Sequence, residues 1–329
     1  MKYLLSLFIL IFIFGCNGPE EKVVYKNSQI LGTSAAKDTP VTEEFGSLTV
    51  KTGEATGGTK IVPWSSWWFP TKDRYMFENA THGALAPLQK YDLYTKRRDG
   101  VDPESAWYEE NEIYDPSEVN WAGLCHAWAV ASVLHTEPKN SIVRKDITFS
   151  VADQKALLLK SYENVGELKI YGKRYNGNYS DDYNDIYPDQ FHRFAQVFLF
   201  EKHLPFLIDY DPSFPVWTVP VYNIKFIIER ENESTAHVKT WITFASSFVD
   251  SPQFVGTKKM VKFYEYKLYG NWDGDNLNVT GSEWVNDSVY DHPDYLIAFP
   301  DSVKRGVLNK KLDLEIIDEI VGKNYVANQ

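Results

Sequence analysis

Excess positive charge is missing from this chain: 34 Lys and Arg stand against 45 Asp and Glu, a net charge of −11. Such a surface argues against nucleic acid and against anionic membranes as partners. Long apolar runs are missing too. Past residue 14, no stretch approaches the roughly 20 apolar residues that a membrane-spanning helix needs. Cysteine is almost absent, with Cys16 and Cys125 as the two in 329 residues. The seven histidines show no zinc-site spacing, and no internal repeat is visible. Aromatic residues, by contrast, are abundant: 10 Trp, 21 Tyr and 19 Phe within a chain that is 43% apolar. That richness favours a β-containing fold with large buried ring contacts.

The N-terminus reads as an export signal. Met1-Lys2 is a short positive region and Tyr3 to Phe14 is apolar apart from Ser6. The run has the length of a signal-peptide core. It ends at Gly15-Cys16, which resembles the lipobox of bacterial lipoproteins. That resemblance implies cleavage before Cys16 and a diacylglycerol on its thiol. The expectation is therefore a signal peptide over 1–15, a lipid-anchored tether over 16–60, a body over 61–300 and a C-terminal helix over 301–329. The protein is expected in the cell envelope, at the outer membrane or cell surface. With Cys16 lipidated, Cys125 is a lone thiol in an oxidising compartment, where it serves as a buried small hydrophobe or as a nucleophile.

Pattern along the body predicts helices first and sheet second, an α+β arrangement. Lys90 to Pro116 reads as loops plus a short helix. Leu124 to Leu134 is Ala-rich, lacks Pro and Gly, and reads as a buried helix. Val151 to Tyr162 has helical apolar spacing. Lys173 to Asp189 reads as a loop. Phe206 to Ile208, Ile224 to Ile228, Val238 to Phe244, Met260 to Leu268 and Tyr295 to Phe299 read as strands of an antiparallel sheet. Trp272 to Gly281 reads as a hairpin region, and Val303 to Val321 as a closing amphipathic helix.

Chemistry concentrates at Asn120-Trp121-Ala122-Gly123-Leu124-Cys125-His126-Ala127-Trp128-Ala129. Gly123 allows a tight turn, and the alanines allow close helix packing. Cys125 then falls in the first turn, where unpaired N–H groups and the helix dipole stabilise a thiolate. The same N–H groups suit an oxyanion. These residues resemble the transglutaminase elicitor family, whose nucleophile segment reads Trp-x-Gly-x-Cys-x-x-Trp-Ala. Phe191-His192, Pro215-Val216-Trp217 with Pro220-Val221, Gly281-Ser282-Glu283-Trp284 and His292-Pro293-Asp294-Tyr295 match further family elements, in order. Thr218-Val219, Val130 and Ile297 depart from it.

The resemblance implies a transglutaminase-like or papain-like cysteine enzyme fold. It implies Cys125, His192 and Asp209 as a nucleophile–base–carboxylate set, with Asp211 as the alternative carboxylate. Cys125 attacks a carbonyl, an imidazole takes and returns the proton, and a carboxylate holds that imidazole in one tautomer. His192 can equally start a helix with Asp189 as its cap. His292 competes as base, or serves as a turn residue. The expected activity is acyl transfer from a protein glutamine to a lysine amine or to water, with Trp64, Trp67, Trp68, Trp128 or Trp217 as walls. A cysteine peptidase and an inactive surface binding protein are the alternatives. Partners are then glutamine- and lysine-bearing proteins, and the membrane through Cys16. No cofactor is implied. Asp273-Gly274-Asp275-Asn276 has the composition of a calcium loop but lacks an EF-hand's ligand register, so a hydrated hairpin turn is favoured.

Overall fold

The computed structural model describes residues 40–79, 81, 83–166, 168–172, 186–211, 217–299, 303–323 and 325. The leader, Cys16, His82, residues 173–185 and Pro215-Val216 lie outside the described residues. None of the described helices is long and apolar enough to cross a membrane.

The chain is α+β. Its main sheet is antiparallel and includes β1 (Thr49–Lys51), β2 (Gly53–Gly58), β5 (Lys169–Gly172), β6 (Phe206–Asp209) and β7 (Thr218–Arg230). It is completed by β8 (Thr235–Ala245), β9 (Lys259–Asp273), β10 (Asn276–Trp284) and β11 (Tyr295–Ala298). The order is β1-β10-β9-β8-β7-β6-β11-β5, with β2 also paired to β7. A separate hairpin joins β3 (Ile142–Arg144) to β4 (Ile147–Phe149). Only Thr52 separates β1 from β2, yet β1 pairs with β10 and β2 with β7. A flat sheet would hold those positions more than about 20 Å apart at the usual inter-strand spacing. The sheet must therefore curl until its two sides meet across Thr52.

Side-chain alternation gives this curled sheet two distinct faces. On one, Phe206 meets Phe194 of α6 (Pro188–Ala195) at 5.2 Å between ring centroids, and Tyr171 meets Phe194 at the same distance. On the other, the register sets Asp209 opposite Thr218 and Tyr295. The Thr218 and Tyr295 hydroxyls lie 2.9 Å apart there. All three residues are buried. α4 (Cys125–Leu134) packs against β7 and against α5 (Val151–Lys160). α5 starts at a capping box: the Ser150 hydroxyl accepts from the Asp153 N–H, and the Asp153 carboxylate accepts from the Ser150 N–H.

Several expectations need correction. Residues 40–58, assigned to the tether, form α1 (Pro40–Phe45), β1 and β2, and Val41 and Leu48 are fully buried. Lys90 to Pro116 is not chiefly loop, because α2 (Pro87–Asp99) runs through its first part and α3 (Ser105–Tyr108) follows. Asp92 ties the two together by accepting from the N–H groups of Ser105 and Ala106. The closing helix is shorter than expected: α7 spans Leu314–Val321, with Asp313 as its cap.

Candidate active site

Three segments converge ahead of α4. The Leu124 N–H donates to the Trp68 carbonyl (2.6 Å), the Thr71 N–H donates to the Ala122 carbonyl (3.0 Å), and Pro70 bridges Gly123. A Cβ on Gly123 would sit 2.7 Å from the Trp68 oxygen and 2.8 Å from its Cδ1, so this approach demands glycine. The chain then enters α4 through Leu124, which supplies no side-chain cap. Cys125 is the first helical residue and is 7% exposed. Its position at the positive end of α4 stabilises a thiolate.

An aromatic chain connects this point to the end of β6. Trp67 stacks on Trp68 at 4.3 Å, Trp68 meets Phe248 at 5.8 Å, and Phe248 meets Trp217 at 4.5 Å. The Trp217 N–H donates to Asp209 Oδ1 (3.1 Å). Asp209 is fully buried, and its carbonyl accepts from the Asp294 N–H (3.1 Å). These contacts link Gly123 and Leu124, against which Trp68 packs, to Asp209 at the end of β6. Phe248 gave no sequence signal, since it follows β8 in a short Ser246-Ser247 turn without a motif. Of the tryptophans expected as walls, Trp67, Trp68 and Trp217 lie here. Trp64 and Trp128 belong to the core, where the Trp64 indole donates to the His135 carbonyl and the Trp128 indole to the Trp64 carbonyl, each at 2.8 Å. The Trp68 Nε1–H is also buried, but it has no hydrogen-bond acceptor.

His192 takes the helical alternative. It lies on α6, with Pro188 in the first turn, and it is 1% exposed. Its ring stacks on Phe226 at 4.0 Å and 8°, and Nδ1 shares a hydrogen bond with the Tyr266 hydroxyl (2.7 Å). These contacts put it on the sheet face covered by α6, whereas Asp209, three residues along β6 from Phe206, points to the opposite face. The structure does not bring His192 and Asp209 together. Burial alone pushes the His192 imidazole down to about 3, which suits a neutral core group and makes a weak base. Asp189 is not the helix cap; Tyr187 occupies that position, and the Ser282 hydroxyl meets the Asp189 carboxylate.

His292 sits at the mouth of β11, next to the strand that carries Asp209. It is 2% exposed and stacks on Trp284 at 5.5 Å and 16°. Its Nδ1 lies 3.0 Å from the Ser288 carbonyl. A carbonyl only accepts, so Nδ1 carries the hydrogen, and Nε2 is the acceptor nitrogen of the neutral ring. Asp211 lies two residues beyond Asp209. His126 points away, with Nε2 3.0 Å from the Glu163 carbonyl. His203 meets the Gly58 carbonyl, and His237 pairs with Glu265. Asp273-Gly274-Asp275-Asn276 forms the turn between β9 and β10. Among the described residues, no three His, Cys, Asp or Glu side chains group as metal ligands.

Buried neutral histidines predict acid sensitivity. His135 is pushed down to about 4, chiefly by burial, and His192 to about 3. The unfolded chain takes up these protons near pH 6.5, while the folded chain does not. Stability from each ring is therefore complete above about pH 6.5 and declines as pH falls toward its folded value, by about tenfold in the folding equilibrium per pH unit. Denaturant titrations from pH 7 to 4 should show this loss, and His192→Gln should flatten it.

Residues 117–245 match the transglutaminase elicitor family. No curated protein matches the chain. Among solved structures, it is similar to the GP42 transglutaminase from Phytophthora sojae, with a TM-score of 0.67 and 18% identity over 89% of this chain and 99% of that one. At that identity the likeness establishes the shared fold.

Proposed function

Taking residues 117–245 as a transglutaminase elicitor segment, we propose that this protein is a thiol acyltransferase acting on glutamine side chains. The observation that carries the reading is the position of Cys125 at the uncapped start of α4, with the partnerless Trp68 N–H beside Gly123. Gly123, two residues before Cys125, lies against the Trp68 ring.

The chemistry divides into two steps. His292 Nε2 takes the Cys125 thiol proton, the thiolate adds to the carboxamide carbon, and the carbonyl oxygen becomes an oxyanion. Trp68 Nε1–H and the Cys125 backbone N–H are suited to receive that charge. The tetrahedral centre collapses, the His292 imidazolium gives its proton to the amide nitrogen, and the C–N bond breaks to release ammonia. The neutral imidazole then takes a proton from a lysine amine as it attacks the thioester. An isopeptide bond forms, and Cys125 leaves as thiolate. If water attacks instead, the product is glutamate. In this proposal His292 replaces His192 as base. Its Nδ1 is already held by the Ser288 carbonyl, and buried Asp209 lies on the adjacent strand. The Trp67–Trp68–Phe248–Trp217 wall limits water at the thioester and favours the amine.

Incubating the protein with a glutamine peptide, with and without a primary amine, and weighing the products tests the reading. Amine incorporation supports acyl transfer and conversion to glutamate supports the hydrolytic variant. Backbone cleavage identifies a peptidase, and an unchanged peptide leaves a binding protein. The exported lipoprotein reading enters the same proposal: a Cys16→Ala variant should leave the membrane fraction and remain folded.

Trp68→Phe keeps the ring stack and removes the N–H. We expect kcat for ammonia release to fall by about 10²–10³ with KM nearly unchanged, as for other single oxyanion donors. Equal changes in kcat and KM would assign Trp68 to the wall alone.

A further inference from the structure

A second concavity opens inside the curl of the sheet, away from Cys125. It is an open concavity of about 470 Å³ between β1, β2, β7 and α6. That volume falls in the range of small-molecule sites. One wall is a ladder of rings: His192 stacks on Phe226 at 4.0 Å and 8°, and Phe226 on Phe200 at 5.8 Å and 11°. Val50, Ala55 and Ile228 extend the apolar lining. Gly57 keeps Phe200 in that wall, since a Cβ there would lie 2.4 Å from the Phe200 ring.

Two polar features mark this as more than a packing gap. His192 is 99% buried, given its 1% exposure, and its Nδ1 is engaged by Tyr266. Among the described residues, Tyr266 is the one hydrogen-bond partner of the ring, which forms part of the cavity lining. The second feature is charge. Arg193 is occupied by Glu201 (2.6 Å) and by the Phe45 carbonyl. Lys51 lines the cavity with no acidic partner among the described residues. A lysine at the rim of a partly apolar concavity is notable in a chain of net charge −11.

We propose that this cavity binds a small planar aromatic carboxylate. The apolar ring would lie in the cavity against Val50, Ala55, Phe200 and Ile228, the carboxylate would face Lys51, and His192 Nε2–H would donate to the bound molecule. This assigns His192 to ligand recognition and is independent of the acyl-transfer reading.

Titrating the full-length protein with 2-naphthoate, followed by saturation-transfer NMR and calorimetry, tests the proposal. Saturable binding is expected, and 2-naphthalenemethanol, which keeps the rings and lacks the charge, should bind at least about fivefold more weakly. Lys51→Glu lies on the exposed rim and should fold normally while weakening naphthoate by at least about tenfold. Ala55→Phe should fill the cavity and abolish binding, and Cys125→Ala should leave binding unchanged. His192→Phe should also weaken binding, and Lys51→Glu keeps the test decisive if that variant fails to fold. No saturable binding would overturn the proposal, as would binding indifferent to both Lys51→Glu and Ala55→Phe. Binding lost in Cys125→Ala would also overturn it, because the ligand would then occupy the candidate active site.

Discussion

Cys125→Ala should abolish ammonia release from a glutamine peptide, to the limit of detection, without changing the fold. Deleting the nucleophile removes the thioester path altogether, and no other thiol remains in the described residues to replace it. Alanine fits the site because Cys125 heads a helix already rich in Ala127, Ala129 and Ala131, all fully buried. The small loss of buried volume should cost little stability. Thermal unfolding of the variant should track the parent within a few degrees. Residual activity near the parent level would remove Cys125 from the mechanism and turn attention to a binding role.

His292→Gln should cost about 10²–10⁴ in kcat, the range expected when a general base is lost. The parallel His192→Gln variant should keep its activity within a small factor while losing stability. The two rings differ in surroundings rather than in kind. His192 is enclosed by Phe226 and Tyr266 and is held neutral by burial far below physiological pH. His292 has one nitrogen fixed by a backbone carbonyl, and it lies beside the strand that carries Asp209. Measuring kcat, KM and unfolding midpoints for both variants separates catalysis from scaffolding. If His192→Gln inactivates a well-folded protein while His292→Gln does not, the base assignment reverses.

The helix headed by Cys125 was legible because its signals agree. Gly123 marks the turn, the alanines permit close packing, and the helix begins at Cys125 as the pattern implies. The central strands were legible from their alternating apolar residues, although β7 runs from Thr218 to Arg230 and outlasts the Ile224 to Ile228 core of its pattern. His192 follows the helical alternative that the sequence left open. Pro188 in the first helical turn, with Phe191, Phe194 and Phe198 at helical spacing, was the signal for it. α2 was hidden by its charge. Lys96, Arg97, Arg98 and Asp99 suggest a loop, yet Leu88, Tyr91 and Tyr94 repeat on one buried face, and Gly100 ends the helix at φ 80°. Residues 53–58 look like linker because Gly53, Gly57 and Gly58 dominate them, but Gly57 is needed where Phe200 closes on β2. The orphan N–H of Trp68 and the placement of Phe248 depend on three segments meeting, which no local pattern encodes.

Rapid acid quenching of the protein with a glutamine peptide, followed by intact-mass and peptide mapping, addresses the thioester directly. The account predicts an adduct of the peptide's mass less ammonia, located on Cys125. It should be absent in Cys125→Ala, discharged by added amine, and depleted of accumulation when Trp68→Phe slows its formation. Turnover of the peptide with no covalent species on Cys125, or an adduct mapped to another residue, would contradict it.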